Sequence, residues 1–190
     1  MKIRMIALIA GLFAAGCVQI SLYPLYTPED LVFDAALLGE WSEQDSEETW
    51  NFSKGEAKGY DLLFVDEEGK KGDFVAHLVK IRKKLFLDIF PKSKDTNESD
   101  VYDWHVMRFH SFIRIKQIQP TLQMSIFNSD WVKEYLQQHP DDIQHEKIGD
   151  RIVLTAKPKE LQDFIMRHEN TKEAFEDPFT MTRKDKDRSE

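Results

Sequence analysis

The chain has 190 residues, 32% of them charged and 41% hydrophobic, with a net charge of −8. That length and apolar fraction suit one domain with a sizeable core. The excess of acid excludes a nucleic-acid partner, which needs a basic face, and argues against adhesion to anionic lipid by charge alone. With one cysteine there is no internal disulfide, so packing must hold the fold together.

The chain begins with Lys2 and Arg4, followed by a nearly unbroken apolar run from Met5 to Ala15 and small residues at Ala14, Ala15 and Gly16. A membrane span needs about 20 apolar residues, and this run is shorter. Gly11 and Gly16 would weaken a buried helix. The segment therefore predicts an export signal ending at Cys17. Phe13-Ala14-Ala15-Gly16-Cys17 resembles the lipobox of bacterial lipoproteins, with alanine at position 14 where leucine is usual. The resemblance implies a diacylglyceryl group on the Cys17 sulfur, removal of Met1–Gly16 and acylation of the new amino terminus. One chain would anchor only marginally, whereas two or more anchor stably. Losing Lys2 and Arg4 would take the net charge from −8 to −10. The resemblance also implies a membrane-anchored protein of the bacterial cell envelope. Val18, in place of aspartate, directs it to the outer membrane where the host has two.

Residues 17–26 read as a lipid-anchored tether, residues 27–184 as one β-rich domain, and 185–190 as a loose charged tail. Thr27-Pro28-Glu29-Asp30 predicts a brief helix, because threonine caps, proline suits the first position and acids suit the positive end. Short strands then follow at Thr49–Phe52, Tyr60–Val65, Asp73–Ile81 and Leu85–Phe90. The connectors Lys54-Gly55 and Glu67-Glu68-Gly69-Lys70 carry turn residues, which makes this an antiparallel meander. Strands are expected again at His105–Gln117 and Thr121–Phe127. Asn128-Ser129-Asp130 opens a helix from Trp131 to Gln138. Arg151–Thr155 reads as a strand, Pro158–His168 as a second helix and Phe179–Arg183 as a closing strand.

The expected fold is mainly β, an antiparallel meander with two helices in the C-terminal third. It closes as a barrel or curves strongly, since closure removes exposed edges. A half-open sheet with helices on one side is the other architecture. Gly39-Glu40-Trp41 resembles the Gly-x-Trp signature of lipocalins, although the other lipocalin motifs are absent. The resemblance implies a tryptophan plugging the closed end, with an arginine from a late strand packed over it. Arg183 is the first candidate for that arginine and Arg114 the second. As a whole the chain is similar to the small lipoproteins of bacterial envelopes.

No nucleotide motif is present. Lipidation would consume the one thiol that might act as a nucleophile. His105 and His110 would face opposite ways on a strand, and a zinc centre needs three or four convergent groups. His77 reads as a satisfied strand histidine. No nucleophile elbow surrounds Ser111. The reading is therefore of no catalytic residue, no metal and no cofactor. The aromatic residues Trp50, Phe52, Tyr60, Phe64, Phe74 and Phe86 fall on successive strands. They fill a barrel core or line a pocket for a small apolar molecule or lipid, since barrels of this size can hold one. The expected role is that of a non-catalytic, lipid-anchored binding protein. The alternative is an assembly module that docks another envelope protein through Trp131, Tyr135 and the two helices.

Overall fold

The structure is a computed structural model that describes residues 18–92 and 105–184. Cys17 and the signal segment, Asp103 and Trp104, and the tail 185–190 lie outside the described residues. The strands are β1 (Ile20–Ser21), β2 (Leu31–Val32), β3 (Gly39–Ser42), β4 (Thr49–Lys54), β5 (Gly59–Val65) and β6 (Lys71–Ile81). They continue as β7 (Lys84–Pro91), β8 (His110–Gln117), β9 (Leu122–Ile126), β10 (His145–Ile148), β11 (Arg151–Leu154) and β12 (Phe179–Arg183). Helix α1 spans Ser129–Gln138 and α2 spans Pro158–Arg167.

Strands β3 to β9 form the meander, each paired antiparallel with the next. The ring closes when β12 inserts between β9 and β3, pairing Met181 with Leu122 and Arg183 with Trp41. The result is a closed eight-stranded antiparallel barrel, so the half-open sheet is set aside. Alternation along each strand sends one set of side chains inward. Trp50, Phe52, Tyr60, Leu62, Ala76, Leu78, Leu87, Ile89, Ile113, Ile115, Leu122 and Met124 meet there as a single core.

Strands β6, β7 and β8 bury residues on both faces, and in β7 this gives a nearly continuous apolar run, Leu85–Phe90 broken only by Asp88, rather than alternation. Their outward residues Val79, Ile81, Phe86 and Phe112 join Val132 and Leu136 of α1 and Leu161, Phe164 and Ile165 of α2 in a second core. Asn128 caps α1, its side-chain oxygen accepting from the amides of Asp130 at 2.9 Å and Trp131 at 3.1 Å.

Several boundaries differ from expectation. Residues 18–26 are built into the body rather than trailing from it. Strand β1 lies between β8, to which it is antiparallel, and β11, to which it is parallel. Gln19 and Ser21 are buried, and Leu25 is fully so. A two-residue strand carries no readable period, and β10 has the same difficulty because three of its four residues are exposed. The strand expected from His105 begins only at His110. The brief helix is one 3₁₀ turn, Pro28–Asp30, closed by Thr27 donating from its amide and hydroxyl to the Asp30 carboxylate at 2.8 and 2.7 Å. Among the described residues, no helix is long and apolar enough to cross a membrane.

Candidate functional site

Strand register separates the two ends of the barrel. At one end Leu37, on the 3₁₀ turn Ala35–Leu37, is fully buried in the inner core. Tyr60 supports this end: its hydroxyl accepts from the Asp34 amide at 2.7 Å and donates to the Asp34 carbonyl at 3.0 Å. Burial raises the Tyr60 phenol above its ordinary pKa. Trp41 donates its indole N–H to the Leu37 carbonyl at 2.9 Å, and the Arg183 guanidinium lies 4.7 Å from the Trp41 ring centroid. Arg183 also donates to the Ala36 carbonyl. Gly39 has φ +119°, and a Cβ there would sit 3.3 Å from the Arg183 guanidinium, so both backbone and space call for glycine. Arg114 lies elsewhere, on the outer face, 3.9 Å over the Phe175 ring and donating to the Glu169 carbonyl.

At the other end the pairs Trp50↔Phe64, Leu62↔Phe74 and Ile89↔Ser111 surround an open cavity of about 140 Å³. Its wall is Val18, Trp50, Leu62, Phe64, Phe74, Ile89, Ser111 and Ile113, where only Ser111 is polar. An apolar cavity of this kind takes hydrocarbon, because water inside it would lack partners. The rim beside Trp50 is acidic. The Trp50 indole donates to Glu48 at 2.9 Å. Burial raises the Glu48 carboxyl above its ordinary pKa despite that bond, with Glu43, Glu67 and Asp66 adding to the rise.

Of the six aromatic residues expected to line a pocket, Trp50, Phe64 and Phe74 do so. Phe52 and Tyr60 face inward but pack deeper, edge-on to each other at 6.2 Å, and fill the barrel. Phe86 is on the wrong face. It points out of the barrel into the second core, 6.5 Å from the Phe175 ring, while Leu87 takes the inward position.

The sequence reading missed a polar cluster on that outer face. Asp88, 1% exposed, accepts from the Leu25 amide at 2.7 Å and lies 2.7 Å from His110 Nδ1. A carboxylate only accepts, so Nδ1 carries the proton. His77 is the cross-strand partner of Asp88, and Tyr26 covers it at 4.8 Å between ring centroids. Burial lowers the His77 pKa, a fall that Asp88 opposes. The available signal was one acid inside the apolar run Leu85–Phe90. The Ser21 hydroxyl on β1 is bound up with backbone, 2.9 Å from the Tyr23 carbonyl and 3.2 Å from that of Leu154, and accepts from the Tyr23 amide at 3.3 Å. His105 lies at a turn, away from any strand. Among the described residues, no group of three His, Cys, Asp or Glu side chains is placed to hold a metal.

Trp131 and Tyr135 stack at 5.0 Å along α1, both half-buried, and turn towards Phe164 and His168. Burial lowers the His168 pKa, with Asp142 pulling the other way.

Compared with protein-family models, curated proteins and solved structures, the chain matches none.

Proposed function

We propose that this protein is a lipid-anchored lipoprotein of the bacterial envelope whose barrel binds hydrocarbon and performs no catalysis. The observation that carries the binding role is the open, almost wholly apolar cavity between Trp50, Phe64, Phe74 and Ile113. Closed eight-stranded barrels leave room for side chains or for one small ligand, and here the side chains stop short of one end. The anchoring role comes from the sequence ending in Gly16-Cys17. The non-catalytic reading comes from the sequence, which carries no nucleotide motif and no nucleophile elbow.

Two experiments test the two halves. Cys17→Ser should abolish labelling of the protein by radioactive palmitate in growing cells, and continued labelling would end the anchor. For the barrel, the unlipidated domain, residues 18–190, is extracted with organic solvent and titrated with uncharged apolar probes, and the change in tryptophan emission is assigned to Trp50 by comparison with Trp50→Phe. A co-purifying apolar molecule or a saturable change in emission supports binding. An empty extract and an unresponsive Trp50 would remove the ligand role and favour a protein partner.

A further inference from the structure

Val18 bridges to the backbone of Asn128, and its side chain forms part of the cavity wall. Consecutive Cα atoms are about 3.8 Å apart, so the chain leaves Val18 towards residue 17 from beside that cavity. Val18 is held there, because Gln19 donates from its amide to the Phe127 carbonyl at 3.2 Å and β1 is paired on both sides.

We propose that one acyl chain of the Cys17 lipid folds back into the barrel mouth, so that the barrel's ligand is the protein's own anchor. This rests on the lipoprotein reading above and names the occupant of the same cavity. The volume favours it. About 140 Å³ is far below a typical free-ligand pocket, yet close to an engineered apolar cavity that takes benzene. It therefore holds roughly six carbons, the end of a chain and not a whole lipid. Charge favours it as well. Glu43, Glu48, Asp66 and Glu67 near the rim oppose a free fatty acid or a phospholipid phosphate, whereas a chain linked through thioether and ester carries no charge. Tethering adds a high effective concentration that a free competitor lacks. The remaining chains stay in the bilayer, where two suffice for stable attachment.

The test uses the full protein, made in cells fed a palmitate analogue with a diazirine at its far end. The lipidated protein is purified into nanodiscs of unlabelled phospholipid, so that only its own lipid carries the photoreactive group, and then irradiated. Crosslinks are expected to peptides containing Phe64, Phe74 or Ile113. Ser111→Leu, which narrows the mouth, should reduce them several-fold while the circular dichroism spectrum stays that of the parent. Label found only in nanodisc lipid, on a protein whose N-terminal peptide has the mass of lipidated Cys17, overturns the inference and leaves the anchor standing. Crosslinks undiminished in a folded Ser111→Leu protein overturn it too, since the chain then lies elsewhere. An unmodified Cys17 removes both the inference and the lipoprotein reading.

Discussion

Phe86 and Leu87 are neighbours on β7 and both fully buried, yet they belong to different interiors. Leu87 faces the inside of the barrel, where the polar atoms of Trp41, Trp50 and Tyr60 are tied off by Leu37, Glu48 and Asp34. Phe86 faces the helices, in a core that also buries polar groups. There the Leu25 amide donates to Asp88, while the Leu25 carbonyl accepts from Gln162 at 2.8 Å. The inner core works by shape and leaves space at one end. The outer core uses directional bonds to pin the N-terminal segment across the barrel wall. Apolar contacts tolerate sliding, whereas buried polar atoms left unmatched are costly, so the outer core fixes where that segment lies.

Truncation of the two neighbours should separate the regions most strongly. Phe86→Ala should cost about 4 kcal/mol and Leu87→Ala about 3 kcal/mol, read from urea midpoints at constant m. A larger loss at Leu87 would mean that the barrel interior, not the helix-covered face, is the more tightly packed region. Next comes Asp88→Ala, which leaves a buried amide without an acceptor and should cost on the order of 2 kcal/mol. Hydrogen exchange at the Leu25 amide should accelerate in this variant; an unchanged rate would show that Asp88 does not pin the segment.

Acidification should also act on the outer core first. Burial holds the folded-state pKa values of His77 and His168 below the ordinary 6.5. Below that pH the unfolded chain binds protons that the folded chain resists, so stability falls as pH drops from about 7 to about 5. His77→Gln should flatten this slope, and a variant with the parental slope would remove His77 from the account. The smallest effect is expected at the closed end. Arg183→Ala gives up its contact with the Trp41 face, worth about 1 kcal/mol, and should shift the urea midpoint slightly with no change in palmitate labelling.

The barrel was legible because β4 and β9 alternate cleanly and the turns on either side of β5 carry glycine and acids. Gly39-Glu40-Trp41 pointed to a tryptophan and a late arginine, and Trp41 and Arg183 do meet. What escaped had physical reasons. With both faces of β7 buried, apolar character alone could not say whether Phe86 or Leu87 pointed inward. Asp88 held the answer, since it shares a face with Phe86 and would be misplaced in an apolar cavity. Strand β1 escaped because its two residues owe their conformation to partners more than 80 positions away, Ser111 and Val153. The cavity itself is a difference between wall and filling, which no single residue type announces.

The ring is joined by its extremes. The Thr182 hydroxyl donates to the Ser42 carbonyl across 140 positions of sequence, and Gln19 donates to the Ile152 carbonyl across 133. Until Phe179–Arg183 arrives, β3 and β9 each keep a bare edge open to other chains. Contacts this distant in sequence slow folding, because the loops between them must close first. A chain emerging amino end first thus remains an open sheet until Phe179–Arg183 is made. Loss of that one strand would leave an aggregation-prone ribbon, not a slightly shorter barrel.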